Sequence, residues 1–138
     1  MTTLYQYVAA IESDVEDDSC PFCSFKKLDI LDSEELAVTV RDTHPVTPLH
    51  SLIIPKRHIG SYFDLDKPEV STCNQLLQRQ KDIILKEDSG VTGFNIGIND
   101  GDTAGQTVKH CHIHLIPRRK GDMDDPRGGV RGVVPGGK

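Results

Sequence analysis

The chain has 138 residues, 36% of them hydrophobic and 5% aromatic, with six histidines, no tryptophan and a formal net charge of −5. That length fits one domain with a modest core, and nowhere does the sequence offer the ~20-residue apolar run that a membrane span requires. Glu12, Asp14, Glu16, Asp17 and Asp18 make the N-terminal stretch unlike a signal peptide, so a cytoplasmic protein is expected.

The net negative charge argues against a general binder of long nucleic acid. Its distribution is uneven: residues 1–108 carry 9 Lys and Arg against 18 Asp and Glu, whereas residues 109–138 carry 7 against 3. A local positive field of this kind suits a small anionic ligand, although a solvated basic tail has the same composition. Four cysteines are too few for a disulfide scaffold. Cys20 and Cys23 form a Cys-x-x-Cys pair, which points to metal or redox chemistry in a reducing compartment, while Cys73 and Cys111 read as small buried residues.

Along the chain, Leu4, Tyr7, Val8 and Ile11 fall at the spacing of a short N-terminal helix, followed by an acidic loop. Leu36-Ala-Val-Thr-Val-Arg41 alternates as a strand, Asp42 to Pro48 is a loop with two prolines, and Ser51-Leu-Ile-Ile54 is a second strand ended by Pro55. A long helix is predicted from Pro68 to Glu87, with Asp66 as N-cap, Val70, Cys73, Leu77 and Ile84 on its apolar face, and Gly90 as its stop. Gly93 to Ile98 reads as a third strand, Asn99 to Asp102 as a turn, and His110 to Pro117 as a fourth strand. From Gly121 to Lys138, six glycines and two prolines predict an irregular tail. The expected fold class is α+β over a single domain, 1–138: an antiparallel sheet with the long helix and the short N-terminal helix packed on it.

Half of the histidines lie at i, i+2 and i+4 in His110-Cys-His-Ile-His114. A strand places these three imidazoles on one face and Cys111, Ile113 and Leu115 on the other. Adjacent imidazoles suit a nucleophile with proton donors, or the ligands of a catalytic zinc with bound hydroxide. The preceding Gly101-Asp-Thr-Ala-Gly-Gln-Thr107 combines flexible glycines with amide and hydroxyl donors, and Lys109, Arg118, Arg119 and Lys120 add charge, which together suit phosphate.

Taken with Ala104-Gly-Gln-Thr-Val108 before it and Pro117-Arg-Arg119 after it, the histidine run resembles the signature of the histidine triad family of nucleotide hydrolases and transferases. Asn95 to Gly101 resembles the family's strand and turn before the triad. His50-Ser-Leu-Ile-Ile-Pro-Lys-Arg-His58 resembles its central segment, and Cys20-Pro-Phe-Cys23 a pair found in many members. The resemblance implies that His112 is a nucleophile forming a nucleotidyl-histidine intermediate. It further implies that His114 binds the α-phosphate and assists proton transfer, that His50 supports the catalytic histidine, and that Gln106 and Thr107 donate to phosphate oxygens. Asp42 would accept from ribose hydroxyls and Asn99 would contact phosphate or orient its neighbours. It also implies a structural zinc on Cys20, Cys23, His58 and His110, a set suited to closed tetrahedral coordination, which gives His110 two readings, as the first of the catalytic histidines and as a zinc ligand, and it implies no organic cofactor. His44 receives no role. The run Ala-Gly-Gln-Thr-Val-Lys-His is most similar to the diadenosine polyphosphate hydrolase branch, so the implied substrate is a dinucleoside polyphosphate, with phosphoramidate hydrolysis or nucleotide binding without turnover as alternatives. Family members are usually homodimers. The tail, through Arg127 and Arg131, is a candidate cover for the polyphosphate.

Overall fold

The computed structural model describes residues 20–24 and 27–137; the expected N-terminal helix lies outside them. Five strands, β1 (Ile30–Ser33), β2 (Ala37–Arg41), β3 (Ser51–Pro55), β4 (Val91–Gly97) and β5 (Ile113–Arg119), form one sheet in the order β1-β2-β3-β5-β4, every neighbouring pair antiparallel. One long helix, α1 (Lys67–Glu87), connects β3 to β4, and the chain then returns through β5 into the gap between them. The α+β reading therefore holds. Among the described residues no helix is long and apolar enough to cross a membrane.

β1 is the element the sequence pattern missed. Its Ile-Leu-Asp-Ser has no period-two alternation, is largely exposed and carries a bulge between Ile30 and Asp32. Two things hold it at the sheet edge: pairing with β2, and Arg79 of α1, which donates to Asp32 (2.9 and 2.7 Å) and to Glu34 (2.5 Å).

The start of α1 is as read. Asp66 Oδ1 accepts from Glu69 N (3.2 Å) and Glu69 Oε1 accepts from Asp66 N (3.0 Å), a reciprocal capping box with Pro68 in the first turn. Its buried face differs from the expectation, being Glu69, Cys73, Leu76, Gln80 and Ile84 rather than Val70, Cys73, Leu77 and Ile84. Two polar residues belong to that face because each meets an arginine. Glu69 takes two hydrogen bonds from Arg57 (2.9 and 2.6 Å), and Gln80 takes one from Arg41 (2.7 Å).

Both faces of the sheet are covered. On the helix side, Ala37, Ile53, Cys73, Leu76 and Ile113 cluster, continued by Ile84, Val91 and Leu115. On the opposite side, Val38, Val40, Leu52 and Ile54 pack against Cys20, Phe22, Cys23, Leu28 and Val108. Leu52 pairs with His114 across the β3–β5 ladder, so the histidines share the face that Cys20, Phe22, Cys23 and Leu28 cover.

Candidate active site and metal cluster

The histidine run straddles the start of β5. Only His114 lies in the strand; His110, at a bend, and His112 precede Ile113 in a stretch tied to another segment, with Cys111 N donating to Ile59 O at 2.7 Å. The two faces still alternate: Ile113 and Leu115 pack on the helix side of the sheet, while His112 meets Phe22 on the other.

His110 is fully buried. Its Nε2–H donates to Pro55 O (2.7 Å), which leaves the Nδ1 lone pair facing Cys20 Sγ and Cys23 Sγ, both at 3.4 Å. His58 Nδ1 lies 2.9 Å from Cys23 Sγ, and the four ligand atoms all fall within 4.8 Å of one another. A tetrahedral ion with bonds of ~2.3 Å to sulfur and ~2.0 Å to nitrogen separates neighbouring S and N ligands by ~3.5 Å. The donor set, the 3.4 Å spacing of His110 to both sulfurs and the carbonyl that fixes the His110 tautomer fit zinc, while the 2.9 Å contact of His58 with Cys23 is shorter than an intervening ion would leave it. Burial pushes the His110 imidazole down to about 4, the neutral state that a ligand needs.

His112 has the opposite arrangement. Its Nδ1–H donates to the His110 carbonyl (2.8 Å), so Nε2 carries the free lone pair. Burial, at 8% exposure, pushes its pKa down to about 4 and keeps the ring neutral at physiological pH. That is a nucleophile's state.

A second chain of hydrogen bonds sets His114. The loop between β2 and β3 closes on itself, Asp42 N donating to His50 O, and Leu49 adopts a positive φ of 72° immediately before His50. This closure sets Asp42 Oδ2 3.5 Å from His50 Nε2. Val46 N donates to His50 Nδ1 (3.1 Å), so the proton sits on Nε2, which donates to His114 Nδ1 (2.9 Å). His114 must then carry its own proton on Nε2. Burial lowers the pKa of both rings; the Asp42 carboxylate opposes that at each, while for His114 the neighbouring His50 lowers it further. Asp42, His50 and His114 also present atoms close enough to hold a metal ion, but an ion on His50 Nε2 would force its proton onto Nδ1, against the Val46 N–H. The triad histidines do not converge on a common point either, since His110 faces the cysteines and His112 Nδ1 faces a carbonyl. The geometry thus disfavours a zinc hydroxide held by the triad.

The loop before the triad makes a 3-10 turn at Asp102–Ala104 between Gly101 and Gly105, whose φ values of 98° and 93° require glycine. Gln106, expected to donate to phosphate, has its side chain committed elsewhere. Nε2 donates to Gly60 O (2.8 Å) and Val108 O (3.1 Å), and Oε1 accepts from Gly101 N (2.8 Å). Gln106 staples the loop. Thr107 and Lys109 are exposed at its end, Lys109 paired with Asp102.

Beside His50 and His114 opens a cleft of about 410 Å³, bounded by Asn99, Ile96, Arg118 and the tail residues Val130 and Val133. The tail is thus not a loose end: a 3-10 segment, Gly129–Val133, lies against β4. Arg127 also lines the cleft, whereas Arg131 does not, and Arg127 pairs with Asp125. Arg118 is engaged with Asp122 and Asn95, and Arg119 with Asp88 and Pro48 O. Sequence spacing had suggested these cations for phosphate and gave no sign of their acidic partners. His44 is exposed and only its backbone N–H reaches Asp42.

The comparisons agree with this architecture. Residues 26–121 match the HIT domain model. The chain is 36% identical over 100 residues to a bis(5'-adenosyl)-triphosphatase of Dictyostelium discoideum, covering 72% of this chain and 66% of that protein. It is 36% identical over 91 residues to an asymmetrical bis(5'-nucleosyl)-tetraphosphatase of Schizosaccharomyces pombe, covering 66% and 50% respectively. The chain therefore spans between half and two thirds of the length of these curated relatives. Among solved structures, a HIT family protein from Bacillus anthracis superposes with a TM-score of 0.70 at 33% identity, over 76% of this chain and 77% of that one. A zinc-bound histidine triad protein from Mycobacterium smegmatis gives 0.68 at 34% identity, over 75% and 78%. With its sheet, its triad and a match across most of its length, the chain belongs to the HIT domain family.

Proposed function

We propose that the protein is a nucleotide hydrolase that cleaves dinucleoside polyphosphates, diadenosine tetraphosphate being the type substrate, through a nucleotidyl-His112 intermediate. The observation that carries this reading is the pair of opposite tautomers side by side: His112 with a bare Nε2, and His114 with its proton on Nε2 because His50 donates to Nδ1. His112 Nε2 would attack the α-phosphorus while the bond to the bridging oxygen breaks. The leaving nucleoside polyphosphate departs as an anion, stabilised as its charge builds by the His114 Nε2–H. The new imidazolium keeps its Nδ1 proton on the His110 carbonyl. Water then attacks phosphorus, the P–N bond breaks, and a nucleoside monophosphate and neutral His112 are released with loss of a proton.

Asp42 is assigned to the ribose hydroxyls, Thr107 and Asn99 to the phosphates, His50 to orientation of His114, and Gln106 to the loop that presents Thr107. An apolar wall of Ile96, Val130 and Val133 in the cleft supports a substrate with a second nucleoside. Zinc on Cys20, Cys23, His58 and His110 is assigned a structural role, because all four ligand positions are filled by protein and none is left for substrate. β4 is an edge strand with no neighbour on one side among the described residues, and with Ile96 55% exposed it supports a homodimer; four buried cysteine thiols suit a reducing cytoplasm.

His112→Ala tests the reading. The variant should still bind the dinucleotide and lose hydrolysis; hydrolysis at the wild-type rate would overturn the proposal.

A further inference from the structure

One of the two residues between the cysteines, Phe22, touches the nucleophile. Phe22 is 1% exposed, and its ring stands edge-on to His112, with centroids 4.9 Å apart and planes at 67°, and to His110 at 6.0 Å and 87°. His112 is therefore restrained twice. The hydrogen bond from Nδ1 to the His110 carbonyl decides which nitrogen is bare, and the Phe22 edge limits rotation of the ring plane. Both restraints originate in the same cluster: Phe22 is flanked by two of its cysteines, and the carbonyl belongs to one of its histidines. An ion joining Cys20, Cys23, His58 and His110 would fix the Cys20–Cys23 turn relative to His110, and with it the slot that His112 occupies.

We propose that the Cys20-Pro-Phe-Cys23 turn is a positioning element of the active site, in which Phe22, held by the metal cluster, fixes the orientation of the His112 imidazole for attack. The proposal rests on His112 being the nucleophile. Phe22 is a positioning residue: it acts through His112. A core residue with no such role would, on truncation, lower stability and leave the His112 ring as it was.

The test compares the zinc-loaded full chain with Phe22→Leu and Phe22→Met, both of which keep an apolar side chain. Four quantities are read: zinc content, KM, the single-turnover rate of adduct formation from diadenosine tetraphosphate, and the nitrogen NMR shifts of the His112 ring. The expected result is zinc retained, KM within about twofold, adduct formation slowed roughly tenfold, and His112 shifts moved toward the average of two exchanging tautomers. An unchanged adduct rate with unchanged shifts overturns the proposal. So does a raised KM at an unchanged rate, which would put Phe22 in contact with substrate.

Should either variant lose zinc or fail to fold, wild-type protein decides by itself. Stripping its zinc should abolish the single-tautomer signature of His112, and a signature that survives refutes the proposal. Failure of the underlying reading is distinguishable, since zinc-loaded wild type would then form no adduct at all.

Discussion

Replacing Gln106 with alanine separates a loop staple from a phosphate ligand. The side chain is 7% exposed and makes three hydrogen bonds, from Gly101 N (2.8 Å) and to Gly60 O (2.8 Å) and Val108 O (3.1 Å). At a net value of about 1 kcal/mol each, their loss destabilises the fold by about 3 kcal/mol. For a domain of this size that lowers the melting temperature by about 10 °C. The loop is freed at the same time, since Gly101 and Gly105 hold it in left-handed conformations with no side chain of their own to brace it, so KM should rise. Gln106→Glu should be at least as damaging, because a carboxylate would face two carbonyl oxygens where the amide donated. Urea unfolding combined with steady-state kinetics reads both effects. A stability within about 0.5 kcal/mol of wild type, accompanied by a kcat loss of about a hundredfold, would refute the staple and restore Gln106 to the phosphate.

Three further outcomes follow from other parts of the site. His50→Ala removes the donor that sets the His114 tautomer and should lower kcat by about tenfold to a hundredfold, with KM little changed; an unchanged kcat in steady-state assays would dismiss the relay. The Arg57 guanidinium holds the Glu69 carboxyl below the usual carboxylate range. The stability this pair contributes is therefore fully present above the unfolded value of about 4.3 and lost as pH falls through the lower folded value. Glu69→Gln should cost about 2 kcal/mol at neutral pH, discounted for the half-exposed arginine, and the gap between variant and wild type should close in unfolding curves taken at falling pH. Chelation of zinc should lower the melting temperature by several degrees and slow turnover roughly tenfold without abolishing it; complete and metal-proportional loss of turnover would favour a catalytic ion instead.

The chemistry of this protein is written locally and its restraints are written at long range. Three histidines in alternation, a Cys-x-x-Cys pair and the His50–His58 segment are patterns within a few residues, and each could be read from the chain. The strands and the capped start of α1 were legible for the same reason. β1 was not, because it is an exposed edge strand whose Asp32 is held by Arg79, 47 residues away on the helix. Cys73 and Ile84 of the buried face of α1 were legible, but Val70 and Leu77 were each read one residue past the buried Glu69 and Leu76, and Gln80 was left out, because an apolar pattern passes over Glu69 and Gln80, each made tolerable by an arginine on a distant element. The role of Gln106 turns on Gly60 O, and that of His50 on the Val46 N–H, backbone groups that no residue type announces. Phe22 on His112 spans 90 positions and had no signal in sequence beyond its place between two cysteines.

The central claim is covalent catalysis by His112, and rapid quenching followed by mass spectrometry of the zinc-loaded chain tests it most directly. After brief incubation with diadenosine tetraphosphate, the wild-type chain should gain the mass of one adenylyl group on a peptide containing His112, at a rate no slower than turnover, and His112→Ala should gain none. A wild-type chain that turns over substrate without ever carrying the adduct, or an alanine variant that still acquires it, would contradict the account.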